Sequence, residues 1–150
     1  PRHIHRTSDI KEEIEKIGLK VHLHSSGRKI DNKTDIYLVD TFGETKLFIK
    51  ICKIVFLGGS LIQHGGQNPL EAARLGCKVI HGPNIDNFLE VYSLLNKNNI
   101  SSKIRTISQA KDIVKKNINN KFSSKKIIKK LNFIGNEVLL NNQKEINKYI

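Results

Sequence analysis

The sequence contains no tryptophan and no methionine, only three prolines and two cysteines, and aromatics make up 6% of its 150 residues. Each shortage removes a class of function. Aromatics are not interleaved with the lysines, so there is no row of stacking platforms of the kind that single-stranded nucleic acid uses. Cys52 and Cys77 fall in no Cys-x-x-Cys pattern, and no His-x-x-x-His is present. One lies beside an apolar helical run and one in a turn, so they read as reduced thiols in a cytosolic setting, not as a disulfide or metal pair. No apolar run approaches the roughly 20 residues that cross a bilayer, and no signal peptide is visible. Internal repeats and coiled-coil or collagen-like patterns are absent too. The chain is one domain's worth of residues, long enough to bury a sizeable core. It starts without methionine in what reads as the loop after a strand, so the expectation is the C-terminal part of a longer protein.

Acidic residues are also scarce. Net charge is +12, and residues 101–150 hold twelve Lys or Arg against three Asp or Glu, whereas residues 1–100 hold fourteen against eleven. The basic character belongs to the C-terminal third. Abundant Lys, Asn and Ile suggest a biased genome, so a solvated lysine-rich face is the plain alternative to a selected anionic partner.

The most informative stretch runs from Lys53 to Pro83. Ile54 to Leu57 is short and β-branched, as a buried parallel strand would be. Gly58, Gly59 and Ser60 form a turn, and a second glycine pair, Gly65 and Gly66, follows. Asn68-Pro69-Leu70-Glu71 reads as a helix start, with Asn68 at the N-cap and Pro69 in the first helical position. Ala72, Ala73 and Leu75 pack this brief helix and Gly76 stops it. Val79 and Ile80 then begin a strand that ends at Gly82 and Pro83. Glycine-rich junctions at the carboxyl ends of strands are where open α/β sheets place ligands. Glycines admit close backbone approach, a helix start attracts phosphate, and Ser60 and Asn68 add neutral donors. Glu71 repels phosphate, so its useful partner is a neutral donor such as a sugar hydroxyl. The alternative is a reciprocal capping pair between Asn68 and Glu71. Spacing does not choose between these readings; the doubled glycines favour a ligand.

Upstream, Arg2, His3, His5 and Arg6 precede a helix with Ile10, Ile14 and Ile17 on one face, N-cap candidates Thr7, Ser8 and Asp9, and a stop at Gly18. The arginines suit a phosphate clamp. The histidines lack a third ligand and read as polar residues, not a metal site. Strands follow at Leu19–Leu23 and Ile36–Val39, with an exposed loop at 25–34 between them. Asp40 to Glu44 is the next strand-end loop, leading into a short helix through Leu47, Phe48 and Ile51. Its two carboxylates suit helix capping as readily as ligand binding. Downstream, a helix is expected over Asn84–Leu95 with Ile85, Phe88, Leu89, Tyr92 and Leu95 inward. A strand over Ile100–Ile107 and a helix from Ser108, with Ile113 and Val114 inward, come next. A last helix over Phe122–Leu140 places Ile127, Ile128, Leu131, Ile134 and Val138 inward, with Lys125, Lys126, Lys129 and Lys130 between them. Strands alternating with helices imply a Rossmann-like, doubly wound parallel sheet of the α/β class.

The run GGSLIQHGGQNPLEAARLG, from Gly58 to Gly76, with Gly82-Pro83 and then Asn87-Phe88, resembles the donor-binding half of the 3-deoxy-D-manno-octulosonic acid (Kdo) transferases. Pro1-Arg2-His3 resembles the family's Pro-Arg-His, and Asp40-Thr41-Phe42-Gly43-Glu44 its Asp-Thr-Met-Gly-Glu. The three motifs keep the family's order over residues 1–90. Phe42 stands for a usual Met, Gln67 for His, Ala72 for Pro, and Cys77-Lys78 for Lys-Pro; none removes a group assigned to chemistry.

The resemblance implies that residues 1–150 are the C-terminal, CMP-Kdo-binding domain of a two-domain GT-B glycosyltransferase. Residues 122–150 would be a basic helical segment, and the N-terminal acceptor domain is absent from this chain. The implied reaction is inverting, metal-independent transfer of Kdo from CMP-Kdo to a lipid A precursor, without a cofactor, at the cytoplasmic face of the bacterial inner membrane. The implied CMP-binding residues are Pro1, Arg2, Phe42, Gly43, Glu44, Gly58, Gly59, Ser60, Asn68, Pro69, Leu70 and Glu71. Arg2 offsets charge on the departing nucleotide, and the general base lies in the missing domain. Expected partners are CMP-Kdo, the lipid A precursor through the missing domain, and the anionic inner-membrane surface, with no nucleic acid. Two alternatives stay open: another nucleotide-sugar enzyme of this architecture, such as an epimerase, and a basic nucleic-acid-binding module.

Overall fold

The computed structural model describes residues 3–119 and 123–149, so Pro1, Arg2 and Phe122 lie outside the described residues. Residues up to Thr45 form one compact unit and those from Lys46 onward a second.

In the first unit a 3-10 turn, Ile4–Arg6, runs directly into helix α1, Thr7–Lys16. No side chain caps α1, and the N-cap position is Arg6 instead of the expected Thr7, Ser8 or Asp9. The Thr7 N–H donates to the Ile4 carbonyl, so the preceding turn supplies the acceptors that a cap would otherwise provide. The helix ends in a Schellman closure, with Gly18 at φ +84° and the Leu19 N–H donating to the Ile14 carbonyl at 3.4 Å. Strand β1, Val21–Leu23, then pairs in parallel with β2, Ile36–Leu38, with Val21 opposite Ile36 and Leu23 opposite Leu38.

The second unit takes up from α2, Thr45–Ile51. Its sheet has β3, Ile54–Phe56, at one edge, β4, Lys78–His81, in the middle, and β5, Ser101–Lys103, at the other edge, all parallel. Helix α3, Leu70–Arg74, lies on the β3-to-β4 crossover and α4, Leu89–Lys97, on the next. Both close as α1 does. Gly76 stands at φ +83° and Asn99 at φ +58°, and Cys77 and Ile100 reach back to the Ala72 and Leu95 carbonyls at 3.1 and 2.8 Å. Each closure delivers the chain within a residue or two to the following strand. The core comprises Ala72, Ala73, Cys77, Val79, Ile85, Tyr92, Leu95, Ile100 and Ile127. Helix α6, Ser124–Ile146, packs on α3 so closely that a Cβ on Gly76 would stand 2.7 Å from the Ser124 Cβ. Parallel strands joined by helices are the α/β arrangement the sequence implied.

Three expectations are corrected. The strand over Ile100–Ile107 is confined to Ser101–Lys103, and helix α5 runs Ile107–Asn119. The helix starts one residue early because Thr106 and Gln109 cap it: the Gln109 N–H donates to Thr106 Oγ1 at 3.3 Å, and Gln109 Oε1 accepts from the Arg105 N–H at 2.7 Å, an arrangement close to a capping box. The helix over Asn84–Leu95 is a 3-10 turn at Asp86–Phe88 followed by α4, a break that turns Leu89 outward, 56% exposed. Along α6 only the first half meets the core. Ile127 is buried and Leu131 packs against the cluster, whereas Val138 is 53% exposed.

Candidate functional site

The turn after β3 is fastened to the end of β4. Ser60 is fully buried; its hydroxyl donates to the Leu57 carbonyl at 2.7 Å and accepts the Gly82 N–H at 2.8 Å. The Asn84 N–H and Nδ2 both donate to the Ser60 carbonyl, at 2.9 and 3.3 Å. Gly82 is required because a Cβ there would run into that same carbonyl. The expectation that the Ser60 hydroxyl is a neutral donor for a ligand is therefore corrected: its proton is already given to Leu57. Gly65 and Gly66 are likewise explained internally. Both have left-handed φ, +72° and +75°, and a Cβ on Gly66 would stand 3.0 Å from the Asn84 carbonyl. Gly58 differs. It has no left-handed φ and nothing within 4 Å of a Cβ, so neither backbone conformation nor packing demands glycine there.

At the start of α3, Asn68 Oδ1 accepts the Leu70 N–H at 3.0 Å, and Pro69 has helical φ and ψ of −83° and −11°. The expected places shift by one residue: Pro69 is the N-cap of α3, without a side-chain cap, and Asn68, just before it, accepts the N–H of Leu70, the first helical residue. The reciprocal half of a capping box is not made, because no described hydrogen bond joins Glu71 to the Asn68 backbone. Its carboxylate is exposed. Helix α3 has five residues, too few for a strong N-terminal anion site, and Asn68 already takes one of its free N–H groups. Positive charge comes from side chains instead. A cavity of about 400 Å³ is lined by Lys46, Asn68, Leu70, Glu71, Arg74 and Leu75. Arg74 lies three residues beyond Glu71 on the same helical face, and Lys46 arrives from α2. Ion pairs among the described residues are Lys11–Glu15, Lys16–Glu12, His24–Glu44 and Lys148–Glu145, so Lys46, Glu71 and Arg74 have none. Sequence reasoning missed Lys46 and Arg74; the signal for Arg74 was its three-residue spacing from Glu71.

In the first unit, the loop after β2 has both carboxylates engaged. Asp40 accepts from the Ser25 N–H at 2.9 Å and the Ser25 hydroxyl at 2.5 Å. Those bonds, the hydroxyl first, hold its carboxyl below the usual range. Glu44 accepts from the Thr41 hydroxyl and faces His24 Nε2 at 3.1 Å. It is lowered as well, chiefly by Thr41. Asp40 thus ties its loop to Ser25 and is not a helix cap. Between the two carboxylates, Phe42 is 80% exposed, and Gly43, at φ +82°, has nothing within 4 Å of a Cβ.

Lysines of the basic end are partly structural: Lys130 Nζ donates to the Asn98 carbonyl at 3.0 Å. Among the described residues no group of three His, Cys, Asp or Glu side chains is placed to hold a metal ion. No described helix is long and apolar enough to cross a membrane. Cys52 and Cys77 are free thiols, the second buried.

No protein-family model matches the chain. It is 29% identical over 143 residues to the 3-deoxy-D-manno-octulosonic acid transferase of Haemophilus influenzae, a match spanning 95% of this chain and 33% of that protein. With a probable mitochondrial 3-deoxy-D-manno-octulosonic acid transferase of Arabidopsis thaliana it shares 37% identity over 101 residues, 66% of this chain and 23% of that one. Its fold is similar to the crystal structure of the C-terminal CMP-Kdo binding domain of WaaA from Acinetobacter baumannii. The TM-score is 0.78 at 28% identity, over 85% of this chain and 67% of that one. Parallel sheets with glycine-bearing loops at their strand ends, superposing on that domain, define an α/β domain of the GT-B glycosyltransferase class. Within the class, sequence and fold agree that the chain corresponds to the C-terminal domain of the Kdo transferases. The chain spans about a third or less of the length of these curated relatives.

Proposed function

We propose that this chain is the donor-binding part of a Kdo transferase, which moves Kdo from CMP-Kdo to a lipid A precursor in an inverting reaction without a metal. The observation that carries the reading is Glu71. It is a carboxylate without an ion-pair partner among the described residues, in a cavity beside Asn68, at the position where the resemblance puts a nucleotide contact, in a chain similar along nearly its whole length to a named Kdo transferase. In the second unit Gly58 and Gly59 allow close approach of the donor and Ser60 fixes the turn. Asn68, Pro69 and Leu70 set the start of α3, and Glu71 accepts from the ribose hydroxyls. In the first unit Phe42, Gly43 and Glu44 are the proposed contacts for base and ribose. Pro1 and Arg2 retain their implied role, Arg2 offsetting the charge of the departing CMP. The acceptor, the general base and attachment to the inner membrane's cytoplasmic face belong to the whole protein. No specific observation favours an epimerase or a nucleic-acid-binding module.

A nucleotide panel tests this. Equilibrium titration of the chain should rank CMP above UMP, AMP and GMP, with affinity unchanged by a chelator. Equal binding of all four nucleotides would remove the donor assignment, and strict metal dependence would remove the metal-free scheme.

A further inference from the structure

The cavity beside α3 carries more charge than a ribose contact needs. Its carboxylate, Glu71, is outnumbered by two cations, Lys46 and Arg74, and none of the three has an ion-pair partner among the described residues. The cations come from different elements, Lys46 from α2 and Arg74 from α3, yet line one space of about 400 Å³, within the size range of small-molecule sites. Unpaired arginine beside lysine is the side-chain chemistry that recognises an oxyanion, the guanidinium as a fork and the ammonium as a point charge. A five-residue helix does not supply that charge, and the Ser60 hydroxyl is committed elsewhere, so these side chains are the available source in the cavity.

We infer that Lys46 and Arg74 form an oxyanion subsite that reads an acidic group of the donor, next to Glu71, which takes its neutral hydroxyls. The inference rests on the donor-binding reading and deepens it. A nucleotide-activated sugar acid carries two oxyanions, the phosphate and the sugar carboxylate, and the same two cations suit either. Arg74 makes the directional contact and Lys46 adds charge. Specificity follows, because a nucleotide linked to a neutral sugar leaves a cation without a partner.

The test titrates the wild-type chain and the Lys46→Gln, Arg74→Gln and double variants with cytidine, CMP and CMP-Kdo. Both side chains are exposed, so each variant should melt as the wild type does. The double variant should lose about tenfold or more in CMP-Kdo affinity while cytidine binding stays within about twofold, the contrast expected when charge-assisted contacts are removed. A parallel loss for CMP identifies the phosphate as the group read; a loss confined to CMP-Kdo identifies the carboxylate. Wild-type binding of CMP and CMP-Kdo that the substitutions leave unchanged overturns the subsite and leaves the donor reading standing. A wild-type chain that binds no cytidine nucleotide removes both.

Discussion

Gly82 donates its N–H to the Ser60 hydroxyl at 2.8 Å, and the space a side chain on Gly82 would need is filled by the Ser60 carbonyl. The two residues lock the loop after β3 to the end of β4, so the turn bearing Gly58 and Gly59 is held by β4, the central strand of the sheet. Ser60→Ala removes the acceptor for Gly82 and the donor for Leu57 in a buried place, and should cost about 1–3 kcal/mol of stability. Urea unfolding measures this. Unchanged stability with weakened CMP binding would mean that the hydroxyl serves the ligand after all.

Asn68 and Glu71 have separate duties, and two substitutions should separate them. Asn68→Ala removes the cap on the Leu70 N–H and should cost about 0.5–2 kcal/mol of stability. Glu71→Gln removes no described bond, so its melting temperature should match the wild type while CMP affinity falls. A lowered melting temperature with unchanged affinity would return Glu71 to the capping role.

The same pair shows what was legible in the sequence. The role of Asn68 at the start of α3, and the helix stops at Gly18 and Gly76, are local chemistry, written within a few residues of where they act. The start of α5 was also written locally, in Thr106 and Gln109, but the β-branched residues beside them resembled a strand. Long-range facts were not legible. Nothing near Ser60 announces that Gly82 will take its hydroxyl, nothing near Lys46 that Arg74 will share its cavity, and apolar spacing did not reveal that α6 leaves the core before Val138.

His81 should make stability depend on pH. Its ring is fully buried, with its centroid 4.3 Å from that of Tyr92. Nδ1–H donates to the Gly82 carbonyl at 2.8 Å, and Nε2 lies 3.5 Å from Asn96 Nδ2. Burial pushes its pKa below the ordinary 6.5, and Lys103 nearby acts in the same direction. Below that ordinary value the unfolded chain binds a proton that the folded one resists, so this contribution is present above pH 6.5 and is lost as pH falls toward the lowered value. His81→Gln should flatten the pH dependence of urea midpoints between about pH 7.5 and about pH 5.5. An unaltered dependence would assign it to other histidines.

The positive charge gathered in residues 101–150 should attract this chain to an anionic membrane surface. Lys125, Lys126 and Lys129 are exposed, whereas Lys130 is tied to Asn98. Near an anionic bilayer each free lysine gains on the order of 1 kcal/mol, so the chain should sediment with anionic vesicles more than with neutral ones, and Lys125→Gln/Lys126→Gln/Lys129→Gln should abolish the difference. Equal sedimentation with both lipids would leave these lysines as a solvated face.

The chain alone should bind the donor nucleotide and transfer nothing. Acceptor attack needs a general base within hydrogen-bond reach and with a pKa near the working pH. Asp40 and Glu44 fail the second condition, because Ser25 and Thr41 hydrogen-bond their ionised forms and lower both pKa values, which makes each a weaker proton acceptor. His81 fails on access, since its ring is buried against Tyr92 and Asn96. Glu71 is free but assigned to donor hydroxyls. A Kdo-transfer assay on the 150-residue chain should therefore read background, and joining it to the acceptor domain should restore turnover. Transfer by the chain alone, abolished by Glu71→Gln, would make Glu71 the base and move the hydroxyl contact elsewhere.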